Sequence, residues 1–188
     1  MPKIKNIVLV LCLCCIPCPT MAVEYSNAVK VTFLSWITGS TKVSYERALP
    51  NHQSAEFCGS MIGAGYDKFG NNPRGFTMRY AHKFFLADNE FGGLCGFYLR
   101  PEVIYSHYTY NSVQLETRTL AQMTALLATT GYQISYGRWL IDVWVGGGYA
   151  FGTPAETGYH HGFALWNALG MKNNNIALSF SVRLGICF

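Results

Sequence analysis

The sequence is poor in charged residues. Aspartate, glutamate, lysine and arginine make up 13% of its 188 residues, whereas soluble domains usually carry about 25%. Half of the residues are hydrophobic and 15% are aromatic, which excludes an intrinsically disordered chain, because disorder needs high charge and low hydrophobicity. The formal net charge is only +4 and no cluster of lysine or arginine stands out, so nucleic acid is not an expected partner.

The sequence also lacks an apolar run long enough for a transmembrane helix, which needs about 20 residues. The apolar run 7–16 is too short. The longest uncharged stretch of the remaining chain, 119–137, is interrupted by polar residues and glycine. Membrane-spanning helices therefore do not explain the high apolar content.

The first 22 residues have the pattern of a secretory signal peptide. Lys3 and Lys5 precede the apolar run, Pro17 ends it, and the small residues near Ala22 fit a cleavage site. We therefore expect residues 1–22 to be removed and residues 23–188 to form the mature domain, an outer-membrane β-barrel on the grounds given below.

Cysteine patterns that hold zinc are missing as well. Four of the seven cysteines lie in the predicted signal peptide. A lipid-modified cysteine there is an alternative, although none of the four follows the small residues that such a site prefers. The other three, Cys58, Cys95 and Cys187, form no CxxC motif and no Cys/His pattern, so no metal site is predicted.

What the sequence does have is alternation of apolar and polar residues. In the C-terminal segment every even position from 176 to 188 is apolar, and the odd positions carry small residues or Arg183. Successive side chains of a strand point to opposite faces, so this segment predicts a strand with one apolar face. Five further segments repeat the pattern, and the segments 56–66 and 119–136 show it more weakly.

The length of the alternating segments indicates a membrane barrel. They exceed the 5 to 6 residues of average globular strands and reach the roughly 9 to 11 residues that span a bilayer. Alternation over such lengths is typical of a transmembrane β-barrel. A soluble barrel of lipocalin type, with its apolar face inside, would alternate in the same way. Sparse charges on the polar face and aromatic residues near the strand ends favour the membrane barrel.

Short and long connections alternate along the chain, as they do in outer-membrane barrels. We predict an all-β fold, an eight-stranded antiparallel up-and-down transmembrane barrel with a polar, plugged interior. The strands are predicted at 29–37, 41–49, 54–66, 75–86, 94–108, 118–136, 138–151 and 175–188. A competing count makes 29–49 one bent strand and 160–171 the eighth. Pro101 cannot donate a ladder hydrogen bond, so a bulge or local distortion is expected there.

An eight-stranded barrel has an interior that side chains fill. Charges buried there should pair, since an isolated buried charge costs several kcal/mol. Strand phase, which also turns Lys30 inward, predicts a lumen network of Lys42, Glu46, Glu56, Arg79, Lys83, Arg100, Glu102, Asp142 and Arg183. We expect Glu102 and Asp142 each to contact an inward arginine. A proton or ion path through these groups is the functional alternative.

The end of the chain resembles the terminal strand of Gram-negative outer-membrane proteins. In those families the barrel-assembly machinery reads a terminal phenylalanine and the alternate apolar residues before it. The matching residues here are Val182, Leu184, Ile186 and Phe188. The stretches 43–49 and 131–133 resemble small barrels of Bacteroidota-type outer membranes.

This resemblance to OmpA/OmpX/OmpW-like barrels implies a location and partners but carries over no activity. It implies an outer-membrane protein with both termini in the periplasm and the long loops outside the cell. The implied partners are outer-membrane lipid and the barrel-assembly machinery, and the expected state is a monomer with an unidentified surface partner.

No catalytic constellation is evident. Ser106 and His107 are adjacent on a predicted strand and so face opposite sides, while His160 and His161 lie with Glu156 in a predicted solvated loop. No catalytic residue, cofactor or metal is therefore predicted. The expected function is a structural or surface-interaction role. The alternatives are a narrow channel or small-hydrophobe carrier, and a lipid-modifying outer-membrane enzyme.

Overall fold

The computed structural model describes residues 25–33, 35–67, 70–86, 94–112, 117–153, 162–165 and 175–188. The predicted signal peptide lies outside these residues. The described strands are β1 (Asn27–Thr32), β2 (Ser40–Leu49), β3 (Gln53–Ile62), β4 (Arg74–Phe85), β5 (Gly96–Asn111), β6 (Arg118–Tyr136), β7 (Trp139–Thr153), β8 (Ala164–Leu165) and β9 (Ile176–Cys187).

The strands form one closed antiparallel barrel. Each of β1 to β7 pairs with the next, β7 pairs with β9, and β9 pairs back to β1. The two-residue β8 adds only to the edge of β9, with Leu165 opposite Ala177. Eight long strands therefore build the wall, which confirms the predicted fold. The competing count is wrong, because β1 and β2 are separate strands that pair through residues such as Val31 and Val43.

The two ends of the barrel differ in their connections. The terminal end carries Asn27, Phe188, the turns at 50–52 and 137–138, and the link between β4 and β5. The far end carries the connection between β1 and β2 and the connections at 63–73, 112–117 and 154–175. Two of the three connections at the terminal end are tight turns, but the link 86–95 between β4 and β5 is longer than the far-end connection 112–117. The predicted alternation of short and long connections therefore holds only in part.

The first hairpin is shorter on β1 than the predicted 29–37. β1 ends at Thr32, after which the Phe33 N–H donates to the Val182 carbonyl at 2.9 Å. Residues Ser35–Thr38 then form a 3-10 helix, and the Gly39 N–H donates to the Trp36 carbonyl at 3.2 Å. The Phe33 bond is thus the last contact of this segment with β9, and the turn at 35–38 supplies the partner of the Gly39 N–H.

The end of β3 also differs from the predicted 54–66. The strand ends at Ile62, because Gly63 has a φ of 91°, a conformation that side chains other than glycine rarely adopt. A Cβ on Gly63 would lie 2.3 Å from the Pro73 carbonyl oxygen. The close approach of these two segments therefore requires glycine where the strand stops.

Pro101 produces a local distortion and no bulge. The pairing of β4 with β5 runs to Ala81 opposite Glu102 and resumes, in the same register, at Phe84 opposite Leu99. On the other side Pro101 stays opposite Ala128 without interruption. The missing pairs follow from the missing N–H of proline.

The wall places apolar side chains outside and charges inside. Large exposed apolar residues include Val31, Val43, Phe57, Met78, Tyr80, Leu99, Val103, Leu126, Val143, Val145, Phe180 and Ile186. The lipocalin-type alternative is therefore wrong, since it requires the reverse arrangement. Among the described residues, no helix is long and apolar enough to cross a membrane.

Candidate functional site in the barrel lumen

Charged side chains fill the half of the lumen nearer the terminal end. We call them the ionic layer, and all of them are buried. Its members are Lys30, Glu46, Glu56, Arg79, Lys83, Arg100, Glu102, Asp142 and Arg183. They stand on seven of the barrel strands at inward positions, because each shares the phase of the buried residues on its own strand.

Glu56 is the centre of the ionic layer. Its carboxylate pairs with Lys30 and Arg183, and it lies 3.2 Å from Arg100 Nη2 and 3.4 Å from Lys83 Nζ. One carboxylate thus contacts four cations that come from β1, β4, β5 and β9. The contacts cross the lumen and tie opposite walls of the barrel together.

Asp142 pairs with lysines, which corrects the expectation of an arginine. Its Oδ2 lies 2.7 Å from Lys30 Nζ and 2.7 Å from Lys83 Nζ, and its Oδ1 accepts a hydrogen bond from the Tyr98 hydroxyl. Arg183 stands directly opposite Asp142 in the ladder. The Arg183 side chain instead contacts Glu56 and the Ser44 hydroxyl. The ammonium groups of Lys30 and Lys83 therefore pair with Asp142 in its place.

Glu102 pairs with arginines, as strand phase predicts. Its Oε2 lies 2.7 Å from Arg100 Nη2 and 3.3 Å from Arg79 Nη1. Glu46 completes the layer. It lies 2.5 Å from Lys30 Nζ and 3.2 Å from Lys83 Nζ, and it accepts a hydrogen bond from the Ser54 hydroxyl.

Neutral residues absent from the predicted network hold it in place. Gln133 accepts a hydrogen bond from Lys83 at 2.5 Å and donates to Glu46 at 3.2 Å. The Trp144 ring lies beneath the guanidinium groups of Arg183 at 4.4 Å and Arg100 at 4.5 Å, within range of cation–π attraction. Their inward strand phase was the only signal that could have identified them.

Lys42 is the one residue of the predicted lumen network that lies apart from the ionic layer. It shares the inward phase of β2 with Ser44 and Glu46 but lies nearer the far end of the barrel. Within the described part of the chain it forms no ion pair. The structure thus joins eight of the nine predicted residues, and adds Lys30.

Apolar side chains fill the lumen toward the far end. This apolar layer consists of Ile104, Met123, Ala125, Leu127, Ala150, Phe163, Leu165 and Ala177. Phe163 and Leu165 come from the connection between β7 and β9, which folds into the barrel at 162–165. The Gly162 carbonyl accepts a hydrogen bond from Arg79 Nη2 at 2.6 Å, so this segment contacts both layers.

The residues considered for catalysis do not converge. Ser106 is buried inside the barrel, where its hydroxyl donates to the Met123 carbonyl at 3.5 Å. His107 points to the other face, with its ring 5.8 Å from that of Phe76. The loop group of Glu156, His160 and His161 lies outside the described residues.

Three lumen carboxylates stand close enough to share a cation. The ligand atoms of Glu46, Glu56 and Asp142 lie within 4.8 Å of one another. Lys30 Nζ contacts all three. The ammonium group thus supplies the positive charge that this cluster needs, and the geometry gives no reason to place a metal there.

The residues of the predicted assembly signal lie on β9 and directly after it. Leu184, Ile186 and Phe188 are exposed on the outer surface, and Val182 is partly buried. They form one apolar row along the outside of the barrel, on the strand that pairs with β1.

Comparison with known proteins gives structural matches only. No family model and no curated protein matches the chain. It is similar to the N-terminal β-barrel domain of Pseudomonas aeruginosa OprF, with a TM-score of 0.52, 9% identity, and coverage of 88% of this chain and 98% of that one. It is also similar to Neisserial surface protein A, with a TM-score of 0.49, 10% identity, and coverage of 87% and 96%. The match to the OprF domain shows a shared barrel fold.

Proposed function

We propose that the protein is an integral barrel of the bacterial outer membrane, with a structural or surface-interaction role and no catalytic site. The observation that carries the proposal is the inverted polarity of the wall, which is apolar outside and charged inside. A soluble protein rarely exposes so continuous an apolar surface. The same surface is stable against lipid, where the closed ladder also leaves no backbone edge unpaired.

Aromatic residues at the barrel ends support a position in a bilayer. Tyr136 and Trp139 flank the turn at 137–138 and are 67% and 65% exposed. Such rings are favoured at membrane–water interfaces. We place the terminal end in the periplasm and the longer connections outside the cell. The row from Val182 to Phe188 would be read by the barrel-assembly machinery, and the barrel would act as a monomer.

The filled lumen supports a role other than a diffusion pore. The ionic layer and the apolar layer occupy successive parts of the interior, and contacts between opposite walls cross it. We therefore expect no stepwise conductance when the purified barrel is added to planar lipid bilayers. Stable single-channel currents would contradict the sealed-barrel proposal and favour a narrow channel.

The location is tested by a heat-modifiability gel on outer-membrane fractions. A folded barrel should migrate differently before and after boiling, and it should be found in the membrane pellet. Recovery in the soluble periplasm would contradict the proposal. Mass spectrometry of lipid A from cells with and without the protein tests the enzyme alternative, and we expect identical spectra.

A small-hydrophobe carrier is the second candidate, and the apolar layer is the observation that favours it. Phe163 and Leu165 enter the apolar layer from a connecting segment, so an apolar molecule could occupy the space that they fill. A fluorescent hydrophobic probe should then bind more strongly after Phe163→Ala and Leu165→Ala substitution. Equal binding by wild type and variant would count against the carrier.

A further inference from the structure

A row of polar side chains crosses four strands above the ionic layer, toward the far end. Lys42 on β2 stands opposite Ser60 on β3, and Ser60 stands opposite Thr77 on β4. Thr32 follows Val31, whose ladder partner is Val43, so it lies beside Lys42 on β1. We call Thr32, Lys42, Ser60 and Thr77 the hydroxyl row.

The hydroxyls of this row are buried without partners. Ser60 and Thr77 are 7% and 5% exposed, and their Oγ atoms form no hydrogen bond with any described residue. The same holds for Thr32 Oγ1. Buried polar groups are almost always hydrogen-bonded, so adjacent hydroxyls that have no partner among the described residues indicate a bound group at this position.

The charge around the row indicates the sign of that group. The ionic layer has five cations, Lys30, Arg79, Lys83, Arg100 and Arg183, against the four carboxylates Glu46, Glu56, Glu102 and Asp142. Lys42 adds a further positive charge, and the guanidinium groups of Arg79 and Arg183 repel its ammonium group. Like charges held together in a lumen repel one another strongly. An anion would relieve this repulsion.

We propose that the hydroxyl row binds a small inorganic anion, of the size of chloride or phosphate. The Lys42 ammonium and the hydroxyls of Ser60 and Thr77 are hydrogen-bond donors, and bonds to an ionised partner are the strong ones. Arg79 and Arg183 add electrostatic attraction from the ionic layer. The anion balances the surplus positive charge and satisfies the hydroxyls at the same time. The inference is independent of the proposed function, since it depends on the lumen alone.

The test is anion-dependent stability of the full barrel refolded in detergent micelles. Urea unfolding is followed in sodium chloride and in sodium gluconate at equal ionic strength, so that general screening is the same. A second series uses inorganic phosphate. A ligand that binds only the folded state stabilises it in a saturable way. We expect the unfolding midpoint to rise with chloride or phosphate and then to level off, and gluconate to have no such effect.

Substitutions locate the effect. Lys42→Met should weaken the apparent anion affinity by about tenfold or more, since it removes a charge-assisted hydrogen bond. Lys42→Arg should retain it. Arg47→Met is the matched control, because Arg47 lies on the same strand but is exposed on the outer face, and it should respond as wild type does. If Lys42→Met fails to fold, Ser60→Ala and Thr77→Val keep every charge and should still weaken the affinity.

Bromide-soaked crystals give a direct readout. An anomalous peak within hydrogen-bond distance of Lys42 Nζ would support the proposal. Midpoints that are equal in chloride, phosphate and gluconate would overturn it. An anion effect that persists unchanged in Lys42→Met and in the hydroxyl variants would overturn it as well, because the anion would then bind elsewhere.

Discussion

The ionic layer and the apolar layer close the same lumen by opposite means. Every member of the ionic layer stands on a strand of the wall, and each is held by partners on other strands. In the apolar layer, Phe163 and Leu165 come from a connecting segment that enters the barrel at 162–165. The ionic layer is therefore part of the wall, whereas the apolar layer includes side chains of a connecting segment that pairs with β9 through Ala164 and Leu165.

The two layers should differ in how much stability they lose when one side chain is removed. A buried ion pair that loses one partner leaves an uncompensated charge in a medium of low dielectric. An apolar cluster that loses one side chain leaves a cavity, whose cost depends on how far the neighbours can collapse into it. We therefore expect the ionic layer to be the more sensitive to single substitutions.

Glu56→Gln should have the largest effect. The substitution preserves the shape of the side chain but removes the one negative charge that four cations share. We expect the free energy of unfolding to fall by about 3–5 kcal/mol, measured by urea unfolding in micelles with tryptophan fluorescence as the signal.

A double-mutant cycle with Arg183→Met shows how much of the lost stability is due to the ion pair between Glu56 and Arg183. Because Arg183 contacts Glu56, its removal should restore part of the stability that Glu56→Gln loses. Asp67→Asn is the control, since Asp67 lies in the connection between β3 and β4, where it accepts a hydrogen bond from the Asn72 N–H. If Glu56→Gln cost no more than Asp67→Asn, the ionic layer would not be the stabilising element described above.

Leu165→Ala should cost less than Glu56→Gln and should act locally. Leu165 is fully buried in the apolar layer, and replacing a buried leucine by alanine usually costs about 2–5 kcal/mol. We expect a value at the lower end, because the segment 162–165 pairs with β9 through Ala164 and Leu165 and should shift into the space that the smaller side chain leaves. Proteolysis of the folded protein should cut the connection between β7 and β9 faster in the variant.

Leu126→Ala is the matched control for this comparison. It makes the same chemical change on the outer face, where Leu126 is 55% exposed and lipid or detergent can fill the space. It should change the unfolding midpoint less and leave the proteolysis rate unchanged. If the two variants were equally stable and equally resistant, the segment would not seal the far half of the lumen.

The walls of the barrel could be read from the sequence, because a strand has a fixed period. The alternation from Ile176 to Phe188 determined which side of β9 faces outward, and the same phase turned Glu56 and Asp142 inward. The ends of strands were less certain, since β1 stops at Thr32 and a 3-10 helix follows, which no local pattern shows.

The contents of the lumen could be predicted only in part. Phase tells that Asp142 and Arg183 point inward, but the choice of partner depends on side-chain length across the barrel, so the pairing of Asp142 with lysines was missed. Phe163 and Leu165 alternate with the exposed Ala164 over three residues only, which is too short for a strand period to be read from the sequence. Tyr98 and Gln133 were missed since they carry no charge that demanded a partner.

Gly131→Ala should have the smallest effect, and it tests whether packing or charge holds the ionic layer together. The ring of Tyr98, whose hydroxyl donates to Asp142, lies against Gly131 on the neighbouring strand. An added Cβ would stand 2.5 Å from Tyr98 Oη and 2.3 Å from the Val143 carbonyl oxygen, so the ring and the neighbouring β7 backbone must both shift, and we expect the hydrogen bond to Asp142 to lengthen. Overpacking of this kind costs about 1–3 kcal/mol, and the midpoint of urea unfolding measures it.

Gly59→Ala is the control, because no atom lies within 4 Å of its added Cβ. Equal midpoints for the two variants would mean that Asp142 is held by Lys30 and Lys83 alone, and that the ionic layer needs charge but not the close fit around it.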